Sequence, residues 1–237
     1  MLQEAGMVYP GNQAAFSSVV MAIPNGDTFR MVADYRAVNR QIEPVLWPQL
    51  RLEETASLPG GASCLGSFGI LQGCWQLPLN AAACEAFTMV TQDGLFNQLC
   101  VPQGVLNATP HFQASMELEV LDGLIFRICL VWVDDIIAWG RTPEELVVNK
   151  GKVLERLMTK RIFAAAHKVT FVSTSIKWCG KISSGEGVNH ALEGIEGLVK
   201  MRRPETWGEL LQFMQAANWM RTPLINMAKV TAPMREL

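Results

Sequence analysis

Two adjacent aspartates separate two short apolar runs in Leu130-Val-Trp-Val-Asp-Asp-Ile-Ile-Ala-Trp139. The apolar runs have the composition of buried β-strands, which places Asp134 and Asp135 where the chain turns. One interpretation is a tight hairpin turn with both carboxylates directed into water. The other is a Mg²⁺ site, because adjacent carboxylates in an apolar setting are costly unless a cation compensates them and Mg²⁺ prefers carboxylate oxygens.

The segments before this stretch predict a hairpin and a helix. Residues 87–99 alternate as two short strands, with Asp93-Gly94 as the turn. Thr109 and Pro110 then have the pattern of an N-cap and a first helical residue, in a helix that Gly123 ends.

The segments after it predict a second helix, further strands and a final helix. Thr142-Pro-Glu-Glu145 forms a capping box, and the apolar positions behind it are expected on one face: Leu146, Val153, Leu154, Leu157 and Met158. Residues 169–172 and 176–182 are strand-like, and the pattern from Pro204 onward is helical. Strands and helices mixed without strict alternation predict an α+β fold.

The composition argues against several classes of protein. Hydrophobic residues make up 49% of the chain, which argues against disorder. The longest apolar candidate, residues 125–139, is interrupted by Arg127 and the aspartate pair and falls short of the roughly 18–20 residues of a membrane span. No secretory signal is visible, and the six cysteines lack metal-binding spacing. We therefore expect reduced thiols in an intracellular protein without a membrane anchor.

Positive charge is concentrated in one segment of the chain. Residues 149–181 contain eight lysines and arginines and one acidic residue, whereas residues 1–148 contain six basic and fifteen acidic residues. A surface that binds a nucleic-acid backbone needs such clustering. A solvated helix face explains the same cluster, and both interpretations stay open at this point.

Motifs along the chain resemble those of reverse transcriptases. Trp132-Val-Asp-Asp135 resembles their Tyr-x-Asp-Asp box, with Trp in place of Tyr. The other blocks resemble, in family order, the first fingers motif (residues 29–39), the strand of the first catalytic aspartate (58–79), the Pro-Gln-Gly block (101–113), the primer grip (178–180) and the thumb (201–221). Together they resemble the reverse transcriptase region of a gypsy-type LTR retrotransposon Pol polyprotein.

This resemblance implies a right-hand polymerase fold. Its fingers would comprise residues 1–60 and 80–106 and its palm residues 61–79 and 107–181. Residues 182–237 would form the thumb and the start of the connection. The palm would be a small antiparallel sheet backed by the helices near 109–122 and 142–160. The RNase H and integrase parts of such a polyprotein are not expected in this chain.

The resemblance also implies a site and its partners. Asp134 and Asp135 would be catalytic and would bind two Mg²⁺ ions. The nucleotide pocket and the primer grip would contain, respectively, Arg30, Cys74 and Gln103, and Trp178, Cys179 and Gly180. The partners would be a primer–template nucleic acid and a deoxynucleoside triphosphate.

The chain departs from the family at its first catalytic motif. Aligned on Gly73 and Gln76, the family's first metal-binding aspartate falls on Gly69, and the aromatic residue beneath the incoming sugar falls on Cys74. No acidic residue lies between Glu54 and Glu85 that could replace the missing aspartate. We therefore predict impaired catalysis.

Three alternatives stay open beside this prediction. The first is an active two-metal DNA polymerase, and the second is a non-catalytic relic that binds nucleic acid or a protein. The third is an unrelated Mg²⁺ enzyme of ferredoxin-like fold, such as a nucleotidyl cyclase. That class would explain the aspartate pair but not the Pro-Gln-Gly and Trp-Cys-Gly blocks.

Overall fold

Strands and helices are mixed along the chain in the computed structural model, which describes residues 2–12, 18–26, 28–48, 62–219, 226, 229 and 231–233. The strands are β1 (Val8–Pro10), β2 (Ser18–Asn25), β3 (Thr28–Ala33), β4 (Cys64–Ile70), β5 (Met89–Thr91), β6 (Gly94–Gln98), β7 (Cys129–Trp132), β8 (Asp135–Gly140), β9 (Ala164–Ser173), β10 (Ser175–Trp178), β11 (Lys181–Ser184) and β12 (Gly187–His190). The helices are α1 (Arg36–Asn39), α2 (Ala81–Ala86), α3 (Ala108–Ser115), α4 (Pro143–Thr159), α5 (Leu192–Lys200) and α6 (Trp207–Trp219). A 3₁₀ turn spans Gly73–Gln76, and a π-helical turn, Met116–Val120, extends α3.

A four-stranded antiparallel sheet forms the centre of the molecule, with the strand order β7-β8-β4-β9. One face packs on the helices, where Phe68 and Ile136 join Phe112, Leu146 and Val153 in the main core. The other face packs on Ile176 and Trp178. Because both faces are covered, β4 and β8 are apolar almost throughout instead of alternating.

A five-stranded sheet with the order β1-β6-β5-β2-β3 contains residues from the first hundred positions. The β2–β5 pair is parallel and the other pairs are antiparallel. The predicted hairpin is present as β5 and β6, in which Thr91 pairs with Gly94. Gln92 and Asp93 therefore form the turn, one residue earlier than predicted, and Gly94 follows it with φ +125°.

A three-stranded antiparallel sheet, β10-β11-β12, follows the central sheet. The prediction of one continuous strand over residues 176–182 is wrong. The chain reverses at Cys179 and Gly180, which have φ values of +51° and +72°. Left-handed conformations end a strand, so that β10 and β11 pair as a hairpin.

Helix α3 begins at Ala108, one residue before the predicted start, with Asn107 at the N-cap position. The Asn107 side chain does not cap the helix because it binds a different segment. Its Oδ1 accepts a hydrogen bond from the Val45 N–H, and its Nδ2 donates to the Glu43 carbonyl. The helical turns end at Val120, shortly before Gly123 (φ +75°), as predicted.

Helix α4 begins as predicted, since Thr142 Oγ1 accepts a hydrogen bond from the Glu145 N–H. Its predicted apolar face is only partly correct, because Leu154 and Met158 are 39% and 76% exposed. Two buried polar residues take part in the face instead. Asn149 donates to the Trp139 carbonyl, and Lys150 donates to the carbonyls of Thr170 and Phe171.

None of the helices in the described ranges combines the length and the apolar character that crossing a membrane requires.

Candidate active site

The aspartate pair lies at the turn between β7 and β8, as the sequence predicts. Val133 and Asp134 form the turn, and Asp135 begins β8 opposite Trp132. Val133 has φ +50°, a conformation that is uncommon for a β-branched residue and persists only where the surroundings enforce it.

Gln113 of α3 holds this turn in place. Its fully buried side chain accepts a hydrogen bond from the Val133 N–H (2.7 Å) and donates to the Val131 carbonyl (2.9 Å). The same Nε2 donates to Glu117 Oε1, and Glu117 Oε2 accepts a hydrogen bond from Trp47 Nε1 at 3.1 Å. Sequence reasoning missed this role, because a glutamine in a helix carries no signal of a partner on a distant hairpin.

Asp134 is the more enclosed of the two carboxylates. Its Oδ1 is buried without a hydrogen-bond partner, beside the Gly73 backbone. Burial raises the pKa of Asp134 most, and the adjacent charge of Asp135 raises it further. Burial also raises the pKa of Asp135, which is the more exposed residue, and the Lys168 ammonium acts in the opposite direction on both.

Gly73 makes this arrangement possible. A Cβ atom on Gly73 would lie 2.4 Å from Asp134 Oδ1 and 2.5 Å from Phe112 Cζ. Both distances are too short for nonbonded atoms, so that only glycine allows the carboxylate to approach the 3₁₀ turn this closely.

Four other predicted site residues lie beside the aspartates. Cys74 is buried in the 3₁₀ turn, where burial and then the charge of Asp134 raise its pKa to about 11. Burial and then the charge of Asp135 raise the pKa of Cys179. Trp178 Nε1 donates a 3.3 Å hydrogen bond to the Asp135 carbonyl, which joins the β10–β11 turn, Gly180 included, to the aspartate pair.

The remaining two predicted residues lie on other elements. Arg30 lies in β3 opposite Ile23, and its side chain falls outside the described part of the structure. Gln103 lies in the turn that precedes α3. The next residue, Gly104, accepts a hydrogen bond from Asn39 Nδ2 at 2.9 Å, which ties this turn to α1.

Gly69 lies directly opposite Asp135 in the β4–β8 pair. A carboxylate at position 69 would therefore be next to the pair, as the family pattern implies. The space is occupied by a different side chain, since a Cβ atom on Gly69 would lie 2.6 Å from Lys168 Cδ and 2.9 Å from Lys168 Cβ.

These residues do not fit a two-metal site. The orphaned Asp134 Oδ1 is suited to a cation, but two-metal chemistry uses carboxylates shared between two ions, and Mg²⁺ requires near-octahedral oxygen coordination. Among the residues that the structure describes, no group of three or more His, Cys, Asp or Glu side chains could hold a metal ion. In the described ranges, the carboxylates that lie together here are those of Asp134 and Asp135, both from one turn.

A helix-backed antiparallel sheet with an aspartate pair at the tip of its β7–β8 hairpin is the arrangement expected of a right-hand nucleic-acid polymerase. The family model for reverse transcriptase (RNA-dependent DNA polymerase) matches residues 23–182, and the chain belongs to this family.

Relatives of the chain are transposon polyproteins. The retrovirus-related Pol polyprotein from transposon opus of Drosophila melanogaster is 24% identical over the whole chain. The transposon Tf2-3 polyprotein of Schizosaccharomyces pombe is 22% identical over 92% of it. The chain spans 24% and 16% of the length of these two polyproteins. The prediction of a reverse transcriptase region from a retrotransposon Pol polyprotein is confirmed.

Solved structures with the same fold confirm the predicted architecture. The foamy viral protease–reverse transcriptase dRH in complex with double-stranded DNA superposes with a TM-score of 0.85 at 22% identity, over all of this chain and 41% of that chain. The foamy viral protease–reverse transcriptase in complex with an RNA/DNA hybrid superposes with a TM-score of 0.81 at 21% identity, over all of this chain and 32% of that chain.

Proposed function

We propose that this chain is the polymerase region of a retrotransposon reverse transcriptase whose catalysis is impaired by Gly69. The observation that carries the proposal is the pairing of Gly69 with Asp135. This pairing puts the departure from the family pattern beside the two remaining carboxylates. The loss of a carboxylate is therefore a loss within the site and not at a distant position.

The proposed roles of the site residues follow from the positions of their side chains. Asp134, the more enclosed carboxylate, is the main cation ligand that remains, and Asp135 assists it. The β10–β11 turn at residues 178–180 contacts the Asp135 backbone and positions a primer end. Arg30, Cys74 and Gln103 shape the nucleotide pocket, and Cys74 supplies less surface beneath a sugar ring than an aromatic side chain would.

The proposed assignment to subdomains follows the same logic. Residues 1–60 and 80–106 form the fingers, residues 61–79 and 107–181 the palm, and residues 182–237 the thumb and the start of the connection. The four-stranded sheet, with α3 and α4 against one face, supports the palm assignment.

The partners of this region are a primer–template duplex and a deoxynucleoside triphosphate, and related structures contain double-stranded DNA or an RNA/DNA hybrid. The basic surface is smaller than the sequence suggests. Lys150 and Lys181 are buried, and Arg156 donates to the carbonyls of Val120 and Asp122. The exposed cations of the segment that can meet phosphates are Lys152, Lys160, Arg161, Lys168 and Lys177.

Primer extension with Mg²⁺ or Mn²⁺ tests the impairment. Removal of one preorganised electrostatic group commonly lowers a rate by about 10²–10³-fold, and the loss of a ligand shared by two ions costs at least that. We expect no detectable extension by the unmodified chain, with Asp134→Asn as the matched inactive control. Circular dichroism and duplex binding would show that both proteins are folded.

The contrary outcome is equally clear. Efficient extension by the unmodified chain that Asp134→Asn abolishes would establish the active two-metal polymerase and refute the impairment. Duplex binding without extension by either protein is the result that the proposal requires.

A further inference from the structure

An apolar cavity lies between helix α4 and strand β9, at the surface of the molecule. Its volume is about 420 Å³, which is within the range of small-molecule sites. Phe68 of the central sheet is buried beneath it. The helix contributes Val147 and Leu154 to the walls, and the strand contributes Val169, Phe171 and Val172. The walls are therefore carbon almost throughout.

A helix glycine creates part of this space. Val147, Gly151 and Leu154 recur at the spacing of one helix face, and all three line the cavity. A Cβ atom on Gly151 would have no atom within 4 Å. The wall of the cavity therefore has a gap between two larger apolar side chains, which a longer side chain at position 151 could fill.

Lys150 also lines the cavity, but its ammonium is engaged elsewhere. The side chain is buried, and Nζ donates to the carbonyls of Thr170 (2.8 Å) and Phe171 (3.0 Å). The same Nζ lies 4.6 Å from the centre of the Phe68 ring and 4.9 Å from the centre of the Phe171 ring. Two carbonyls and two aromatic faces thus surround the charge, and what Lys150 contributes to the cavity wall is its hydrocarbon stem.

Irregular pairing of β9 with β4 explains why Lys150 can reach those carbonyls. Strand β9 forms a bulge over residues 166–169, and a further register shift leaves residues 171–172 opposite Gly66 alone. Backbone groups in such a stretch leave the regular ladder. The Lys150 stem passes directly over Gly66, where a Cβ atom would lie 2.8 Å from Lys150 Cδ. The ammonium is therefore fixed to the backbone of β9.

We propose that this cavity is a binding site for an uncharged aromatic molecule of about two or three rings, a size that its volume accepts. The walls offer almost no hydrogen-bonding group, so that an ionic ligand would lose its hydration without compensation. The rings of Phe68 and Phe171 are suitable partners for an aromatic ligand. The site is independent of the proposed function, because none of its lining residues belongs to the predicted polymerase site.

Fluorescence titration with two matched probes tests the chemistry of the ligand. N-phenylnaphthylamine is neutral, and anilinonaphthalenesulfonate has the same rings with one added sulfonate. We expect the neutral probe to bind the unmodified chain about tenfold more tightly, since a buried sulfonate would need a cation that is already engaged. Equal or tighter binding of the sulfonate would overturn the proposal, because it would mean that the charge of Lys150 and not the apolar wall selects the ligand.

A pair of glycine variants tests the location. Gly151→Leu fills the gap in the wall, and Gly197→Leu adds the same side chain to an exposed glycine of α5 that also has open space around it. We expect Gly151→Leu to weaken binding of the neutral probe by about tenfold, because apolar contact area is lost to the new side chain, and Gly197→Leu to leave it unchanged. Equal affinities of the two variants would place the probe elsewhere and overturn the proposal.

A variant at the rim keeps the test valid if Gly151→Leu disturbs the fold. The Phe171 ring is 76% exposed, so that Phe171→Ala removes an aromatic wall while keeping the carbonyl that Lys150 binds. We expect it to weaken the neutral probe several-fold, with the melting temperature followed by circular dichroism as the check on folding. Unchanged affinity in this variant would refute the cavity as the site. Primer extension enters none of these measurements, so that they leave the proposed impairment as a separate question.

Discussion

At the scale of single residues, glycines determine which side chains can meet in the site. Gly73 allows Asp134 to approach the 3₁₀ turn, and Gly69 allows Lys168 to lie across β4. In both places a side chain lies in the space that a Cβ atom of the glycine would occupy. Gly151, on the exposed face of α4, has open space around it and has no such role.

The pair Gly73 and Gly151 gives a matched prediction. Gly73→Ala should lower the free energy of unfolding by about 1–3 kcal/mol, because the new methyl group meets Asp134 and Phe112 in a filled space. Gly151→Ala should raise it by roughly 0.5–1 kcal/mol, since alanine is the better helix former. Urea denaturation of both variants measures the difference, and a stabilising effect of Gly73→Ala would mean that the packing around Asp134 is looser than described.

Residue-scale features differ in how far the sequence predicts them. The aspartate turn is predictable, because two carboxylates between two buried apolar strands are accommodated best where the chain turns. The contact between Lys168 and Gly69 cannot be predicted from the sequence. It depends on a bulge in β9, and the position of that bulge follows from the pairing of β9 with β4. The buried Asn149 and Lys150 escape prediction for a similar reason, since their carbonyl partners belong to other strands.

At the scale of elements, α3 and the β7–β8 hairpin behave as one unit. The Gln113 side chain forms hydrogen bonds with both the Val131 carbonyl and the Val133 N–H. It also donates to Glu117, which accepts a hydrogen bond from Trp47. A single helix residue therefore sets the conformation of the turn that presents Asp134. Elements were predictable from their own signals, as the β5–β6 hairpin and the cap of α4 show, but this connection between elements was not.

We expect Gln113→Ala to destabilise the protein by about 1–3 kcal/mol, because it leaves buried backbone groups of the turn without partners. Gln212→Ala, at an exposed position of α6, is the control and should change stability by less than about 0.5 kcal/mol. Thermal unfolding followed by circular dichroism measures both. Equal melting temperatures would indicate that water or a neighbouring group replaces the Gln113 amide.

At the scale of the whole molecule, charge is distributed unevenly around the site. The acidic excess lies in residues 1–148 and the basic excess in residues 149–181, but three of the eight cations in that basic segment are buried or bonded to carbonyls. The sequence therefore overstates the cationic surface. Burial of lysine depends on whether unpaired carbonyls lie within reach, which composition does not reveal.

The exposed lysines and arginines of residues 149–181 predict weak, salt-sensitive binding of a primer–template duplex. Affinity should fall by about 10- to 100-fold between low and physiological salt, because only a few phosphates are neutralised. Lys160→Glu should weaken binding further, whereas Arg127→Glu, the same change of charge outside the segment, should have a smaller effect. Fluorescence anisotropy over a salt series measures this, and affinity independent of salt would contradict the predicted surface.

The bulge in β9 also bears on how the protein behaves at high concentration. β9 is one of the two outer strands of the central sheet among the described residues, and an unprotected outer strand is a template on which another chain can add. Register shifts interrupt the row of backbone donors and acceptors at residues 166–169 and again at residues 171–172, and Lys168 adds a charge in the first of these stretches. The edge therefore offers another chain few backbone partners, because the carbonyls of Thr170 and Phe171 already accept hydrogen bonds from Lys150.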